Sequence, residues 1–433
     1  MHSRNRRAEP AVVGSVPQLG IVRDFNLLWA GESVSALGTQ FSTLAFPTVA
    51  ILQLHAGPLE VGVLTGAGFA AYPLLGIAAA PLVDRAPRRK VILGTNAIRA
   101  IALGLVTASA AFGTVAFWQL LVAAFVVSGA TAVFDTAYQS LLPAIVPREQ
   151  LLGANSRLET SQNVAYFAGP AAAGIVLQAL GAVVAFFADA LSYLVALVSV
   201  LAIDEDRPAP TLARRTFRAD LADGFRAFGQ YPFLVPIVSC VGISNAGNMM
   251  VRSLIFLLAY RSFDLGPSAV GWALAAGGLS GIAGATAAGT LGRRFGVGAT
   301  LALATFIEGV AWCIVPLGVF GQPLVVLVAA AALSGFMTPV WNVNNVTLRQ
   351  RAIPLELQAR VVAVARAVGV GTIPLGTVIG GAIATQLAGA FGDRLGLAAA
   401  VFLGGLVAGS SVLPLLATGI ARIRVPQDAA ARA

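Results

Sequence analysis

Charge is what this chain has least of: Asp, Glu, Lys and Arg make up 11% of its 433 residues, less than half the share usual in soluble domains. So little charge cannot cover a water-soluble globule. With 57% apolar residues and a mean hydropathy of +0.82, the composition excludes a soluble enzyme, a disordered chain and a secreted disulfide scaffold. The two cysteines, Cys240 and Cys313, lie in separate apolar runs and read as small buried hydrophobes, not as a disulfide framework or a metal cluster. The two histidines, His2 and His55, sit at the terminus and in a short polar break. No H-E-x-x-H run and no nucleophile–base pair is visible, so nothing points to an enzyme, a bound metal or a cofactor. The apolar runs are continuous and do not alternate every second residue, which excludes an outer-membrane barrel.

Lysine is nearly missing too: every basic residue but Lys90 is an arginine, and the net charge is +9. In a soluble protein that balance would suggest nucleic acid. Here the arginines fall in short segments between apolar runs, where they set membrane orientation, and no nucleic-acid partner is expected.

What is present is a series of long apolar runs. A membrane helix needs about 20 mostly apolar residues, and turn and charge punctuation yields twelve such spans: 25–54, 58–83, 91–112, 116–146, 151–179, 182–203, 233–260, 266–291, 298–319, 323–348, 356–388 and 395–420. The basic start Met1 to Arg7 is followed by a polar stretch, so no cleavable signal peptide is expected. With both termini inside, the inner segments carry 22 of the basic residues and the outer ones 2, Arg261 and Arg394. That asymmetry predicts a multi-pass protein of the inner, cytoplasmic membrane with both termini in the cytoplasm.

The expected organisation is a cytoplasmic segment 1–24, a six-helix bundle 25–203, a cytoplasmic linker 204–232, a second six-helix bundle 233–420 and a cytoplasmic tail 421–433. In the linker, Phe217, Leu221, Phe225 and Phe228 recur at helical spacing opposite Arg218, Asp220, Asp223 and Arg226. That pattern suits an amphipathic helix on the membrane surface, or equally a packed connecting helix. The halves match weakly at an offset of 207: Asp135 falls on Asn342, Pro147 on Pro354, Gly169 on Gly376 and Gly174 on Gly381. Duplicated six-span halves in parallel orientation build one class of secondary transporter, with the substrate site between the halves.

Ionisable residues at mid-membrane cost about 2.5–3.5 kcal/mol each and face a partner or a wet cavity. Four spans carry polar residues on one helix face. These are Glu32, Ser35, Thr39 and Thr43 with Gln40 beside them; Ser128, Thr131, Asp135 and Tyr138 or Gln139; Asn245, Asn248 and Arg252; and Thr338, Trp341 or Asn342, Asn345 and Arg349. They are the first and fourth spans of each half, so stripes and repeat agree on one cavity. For single serines and threonines, hydrogen bonding between helices is the simpler reading. Structural pairing is also the better reading of Arg99, of Asp189 with Ser192, and of Glu308, which lack a long stripe.

The loop Ala80-Pro81-Leu82-Val83-Asp84-Arg85-Ala86-Pro87-Arg88-Arg89-Lys90 resembles the signature G-x-x-x-D-R-x-G-R-R-K of the major facilitator superfamily. Its counterpart Gly289-Thr290-Leu291-Gly292-Arg293-Arg294 has lost the acid. Gly169-Pro170 is similar to the antiporter motif G-x-x-x-G-P-x-x-G-G, with Ala165 and Ala173 at two of its glycine places. Phe25 to Gly31, Asp189 to Tyr193 and Phe217 to Arg226 resemble the bacterial branch that includes enterobactin and macrolide exporters. The resemblance implies an all-α membrane protein of twelve helices in two pseudo-symmetric bundles. It also implies a gate in which Asp84, with Arg85, Arg88 and Arg89, meets span eleven near Arg360, while Gly169 and Pro170 shape span five.

The expectation is a monomeric transporter exporting an amphipathic organic molecule in exchange for protons; proton-coupled uptake by the same fold is the alternative, and a non-transporting membrane sensor or partner is the less favoured reading of a different class. Substrate contacts are expected from Glu32, Gln40, Phe41, Asp135, Tyr138, Asn245, Asn248, Arg252, Trp341, Asn342 and Asn345. Glu32 and Asp135 are the candidate proton carriers, since two acids in one partly dry cavity exchange protons readily. Ion pairing of these acids with Arg157 or Arg349 is the competing reading. With no G-x-x-x-x-G-K-[ST] loop in the chain, an ion gradient is the expected energy source.

Overall fold

The computed structural model describes residues 23–203, 231 and 233–423. The expected terminal segments, nearly all of the linker and its amphipathic helix lie outside the described residues. What is described is helical throughout, as lipid requires: with no water to satisfy the backbone, each span must close its own hydrogen bonds. The helices are α1 (Arg23–Thr48), α2 (Pro58–Arg85), α3 (Arg88–Ala111), α4 (Phe117–Ile145), α5 (Leu151–Leu201), α6 (Leu234–Leu257), α7 (Pro267–Phe295), α8 (Val297–Ile314), α9 (Pro323–Ala352), α10 (Leu355–Phe391), α11 (Asp393–Ser410) and the short α12 (Val412–Ala417).

Among the described residues, ten helices are long and apolar enough to cross a membrane. One of them, α5, is 51 residues long and breaks at Gly181, where φ 80° and ψ 178° leave the helical region. Only glycine adopts that conformation without strain, and the break falls where the sequence predicts the turn between its fifth and sixth spans. The surface is inverted relative to a soluble protein. Ile101, Leu105, Val198, Leu279 and Val325 point outward, whereas Asn96, Arg99, Asp189, Ser253 and Thr377 are buried.

The repeat is visible in backbone detail. A π-helical turn, Val49–Gln53, follows α1, and its counterpart Leu258–Ser262 follows α6. Each turn leads to a non-glycine residue with positive φ, His55 at 53° and Asp264 at 52°, and then to a helix opened by proline, Pro58 or Pro267. The locking backbone bonds correspond as well: Ala56 N–H to Ala50 O at 2.8 Å and Leu265 N–H to Ala259 O at 2.9 Å.

The two halves meet through glycines, and each contact is made twice. A methyl group on Gly174 of α5 would lie 2.6 Å from the Pro267 carbonyl oxygen of α7, and one on Gly381 of α10 would lie 2.6 Å from that of Pro58 on α2. Reciprocally, a methyl on Gly271 would press on the Pro170 carbonyl, and one on Gly62 on that of Thr377. Backbones can approach this closely only where side chains are absent.

At this end of the molecule one apolar core runs through both halves, from Leu44, Val49 and Ile51 to Leu254, Tyr260 and Phe263. Polar bonds join it: Thr48 and Tyr260 hydroxyls at 2.8 Å, Arg261 to the Ala56 carbonyl at 2.9 Å, and the Ser268 N–H to Gln178 Oε1 at 3.0 Å. At the opposite end the halves keep separate cores, one around Phe25, Leu141 and Val200, the other around Leu234, Leu301 and Leu348. The halves are thus fastened together at the end bearing the 54–57 and 263–266 connections.

Candidate functional site

In the first half the polar side chains converge from four helices on Arg99. Its guanidinium lies between two aromatic faces, 4.4 Å from the Phe134 ring centre and 4.3 Å from that of Tyr193. Each such contact contributes about 0.5–2 kcal/mol, the upper part of the range applying where water is excluded. The group also donates to Asn96 Oδ1 one turn back on α3, and among the described residues it is the cation whose charge acts on both Glu32 of α1 and Asp189 of α5.

Asp189 is wholly buried and accepts hydrogen bonds from Ser42 of α1 and from Ser192 one turn on. The Tyr193 hydroxyl pairs with that of Thr39 at 3.1 Å. Beyond Glu32 stands Asp135 of α4, and Tyr138 stacks on Phe134 with ring centres 5.5 Å apart.

In the second half the focus is Glu308 of α8. It accepts from Ser334 at 3.3 Å and from Thr338 at 3.4 Å, both on α9. Arg252 of α6 stands near it and reaches across to Tyr166 of the opposite half. Arg252 is solvent-accessible and Tyr166 is 54% exposed, although both belong to helices that pack against the other half. Asn248 accepts from the Trp312 indole at 2.5 Å and donates to Ser244 at 3.1 Å, tying α6 to α8. A groove lined by Val346, Arg349, Gln350, Ile353, Gln358 and Val361 opens between α9 and α10.

The expected site residues divide by what they do. Glu32 Oε1, the Tyr138 hydroxyl, Trp341 Nε1 and Asn345 Oδ1 are buried polar atoms with no hydrogen-bond partner among the described residues. Buried polar atoms are nearly always paired, so an orphan calls for a bound partner such as ligand or water. All four residues come from the sequence stripes. Asn245, by contrast, donates to the Gly369 carbonyl of α10 at 2.9 Å, which is helix–helix bonding. Gln40 packs beside Gly169, Phe41 packs on the shared core, and Asn342 is exposed.

Of the expected gate, Arg89 donates to the Val200 and Leu201 carbonyls at the end of α5, at 3.1 and 2.5 Å, the way a basic residue closes a helix C-terminus. Arg88 is half-buried at the start of α3. The side chains of Asp84, Arg85 and Arg360 lie outside the described residues. Arg157 lies over the Trp29 ring at 5.8 Å, while the cation facing Glu32 is Arg99. Sequence reasoning passed over Tyr166, which stands on no polar stripe, and Asn344, which donates to the Ala288 carbonyl of α7 at 3.1 Å. A lone tyrosine in an apolar run carries no spacing signal, and Asn344 was passed over beside its stripe neighbours Asn342 and Asn345; only the helix opposite gives each its role.

The comparisons with known proteins bear on the same arrangement. Residues 21–428 match the family described as transmembrane secretion effector. The chain is 26% identical over 392 residues to the multidrug efflux pump Tap of Mycolicibacterium fortuitum, covering 88% of this chain and 94% of that one. It is 30% identical over 138 residues to macrolide efflux protein A of Enterococcus faecalis, covering 31% and 42%. Among solved structures it is similar to a nucleoside transporter, NupG, with a TM-score of 0.72, 12% identity and coverage of 92% and 99%. It is similar also to a bacterial homologue of the human lysosomal transporter Spinster in an inward-facing, unoccupied conformation, with a TM-score of 0.67, 16% identity and coverage of 97% and 99%.

Proposed function

The chain belongs to the transmembrane secretion effector family of the major facilitator superfamily, and on that premise we propose that it exports an amphipathic organic compound in exchange for protons. Drugs, antibiotics and siderophore-like metabolites are the substrate class, in keeping with the names of its efflux relatives. The observation that carries the reading is the doubled glycine contact between the halves. Two bundles joined by side-chain-free surfaces at one end can part there and close at the other as rigid bodies, which is alternating access.

The chain is proposed to cross the inner membrane twelve times. The break at Gly181 divides α5 into two spanning lengths, and Pro58–Arg85 adds another to the apolar helices. Both termini are placed in the cytoplasm, so the fastened end faces outward and the cavity opens inward. The working unit is a monomer in the bilayer whose partners are its substrate and protons. Its halves are 25–203 and 233–420, joined by the cytoplasmic linker. Substrate contacts come from Glu32, Tyr138, Arg252, Trp341 and Asn345, and Glu32 and Asp135 exchange protons with the cytoplasmic side.

Everted membrane vesicles test this. With ethidium and a macrolide as probes, an inward-acid pH gradient should drive accumulation inside everted vesicles, and collapse of the gradient should abolish it. Depletion from everted vesicles would indicate uptake, and accumulation indifferent to the gradient would refute proton exchange.

A further inference from the structure

The coupling acids named above lie on the cavity stripes of α1 and α4. Asp189 does not: it is on the second rod of α5, wholly enclosed, and the charge of Arg99 acts on it as on Glu32. We propose that Asp189 is a proton-binding site of this protein, an enclosed carboxyl that shares Arg99 with Glu32 and holds the exchanged proton away from water. The proposal rests on the proton-exchange reading for its role in transport, and on geometry alone for the existence of the site.

The argument is one of charge and enclosure. Among the described residues the polar and charged groups around Asp189 are few: Ser42 from α1 and Ser192 from its own rod donate to it, Tyr193 one turn away pairs with Thr39, and Arg99 from α3 is the cation acting on it. Glu32 feels the same Arg99 cation, and Asp135 as well. Phe134 and Tyr193 cover the two faces of the guanidinium, so little water reaches this cation to screen it. One cation balances one carboxylate. The second carboxyl in the same dry interior is balanced by a proton, because an uncompensated buried charge is far more costly than a neutral acid.

The hydrogen-bond inventory leaves room for the exchange. Among the described residues the Arg99 Nε–H and the Asn96 Nδ2–H are buried without an acceptor, and Glu32 Oε1 is buried without a donor. The donors and acceptors of this cluster are therefore not used up, and Arg99 can favour one carboxyl or the other by a small rotation between its two rings. The step moves one proton and no electrons. When the proton is on Asp189, Arg99 balances Glu32. When the O–H bond of Asp189 breaks and the proton leaves to water by way of the partly exposed Glu32, Arg99 balances the carboxylate left behind. The cavity then holds a negative charge that a cationic substrate group can offset. Substrate and proton compete for one charge balance, which is the condition for exchange.

Infrared spectroscopy of the purified protein in liposomes reads the site without any transport. A protonated-carboxyl C=O band that exchanges slowly in deuterated water is expected in the wild type. It should persist in Asp135→Asn, vanish in Asp189→Asn and weaken in Glu32→Gln, where Arg99 is left free to balance the Asp189 carboxylate. The amide oxygen of that variant still accepts from Ser42 and Ser192, so its fold is preserved. Should Asp189→Asn fail to fold, Arg99→Gln serves: loss of the cation adds a proton to the cluster and the band should grow about twofold, which a merely structural aspartate would not cause. A missing band in the wild type, a band unchanged in Asp189→Asn, or no growth in Arg99→Gln overturns the site.

Ethidium transport then separates the two readings. Asp189→Asn should lose export driven by a pH gradient more than tenfold while keeping ethidium counterflow. If the band behaves as expected but wild-type transport ignores the gradient, the proton-exchange function fails and the site stands. If wild-type transport follows the gradient and Asp189→Asn keeps it, the role assigned to Asp189 fails.

Discussion

Trp312 and Asn248 illustrate what a single polar contact does inside a membrane protein. The indole N–H and the amide oxygen meet at 2.5 Å across α8 and α6, where the indole is buried. Trp312→Phe keeps most of the apolar volume but strands the Asn248 oxygen. It should lower stability by about 0.6–1.7 kcal/mol, the range measured for interhelical hydrogen bonds in bilayers, seen as a lower midpoint in thermal unfolding in detergent; an unchanged midpoint would count against the bond. Glu32 sits at the other extreme, with an unused carboxylate oxygen. Glu32→Gln should remove export driven by a pH gradient while leaving counterflow of ethidium intact, since counterflow needs no net proton movement. Retained gradient-driven export would take Glu32 out of the coupling. Of the site, the residues legible in the sequence were those on polar stripes: Glu32, Tyr138, Trp341 and Asn345 all keep orphan polar atoms. Asn245 sat on a stripe equally well, yet it bonds the Gly369 carbonyl. Helical spacing reports which face a residue occupies, not which neighbour stands opposite.

At the scale of the helix, the proposed alternating access makes the doubled glycine contacts the place where the equilibrium between its two states is set. A leucine at Gly174 or Gly381 would meet a carbonyl oxygen and backbone carbons, which cannot swing aside as a side chain can. Overpacking of this kind costs about 1–3 kcal/mol and falls only on the state in which the halves are fastened. Gly174→Leu and Gly381→Leu should each speed thiol labelling of a cysteine placed at Thr48, which is buried against Tyr260 where the halves are fastened; equal rates with and without the leucine would show that the contact does not govern the state. The gate at the opposite end is tested through Asp84, whose signature loop resembles that of the superfamily. Asp84→Asn should impair the conformational step and lower the transport rate with ethidium affinity nearly unchanged, as read by binding and transport on the same preparation. An equal loss of affinity would argue against gating.

For the whole molecule, orientation follows from arginine placement and can be checked directly. Cysteines introduced at Ala209 and Ala430 should be protected from impermeant thiol reagents in intact cells, and one at His55 should react. His55 is the site to use in the outer connection because it is exposed, whereas Ala56 beside it is buried, its carbonyl bound by Arg261. Labelling at Ala209 or Ala430 from outside would reverse the topology. Orientation also decides which way the cavity opens, since the fastened end is the one bearing the 54–57 and 263–266 connections.

The sequence by itself determined that the chain lives in a bilayer, where most of its helices start and stop, that its halves repeat, and which helix faces are polar. Each of these is written in local composition, because hydropathy, punctuation and spacing act over one or two helical turns. The tertiary structure decided the rest. At 207 the repeat is legible from Asp135 onward, but the first helices correspond at 209, as the π-helical turns and their following His55 and Asp264 show; two residues are lost between the second and fourth helices of the repeat. Arg99 and Asp189 looked like isolated pairing residues. Packing of α1, α3, α4 and α5 makes them the centre of a shared charge network, because in a dry interior a charge interacts over a distance that spans several helices. Which helices those are depends on how the chain returns upon itself, and nothing in the spacing of Arg99 along α3 encodes it.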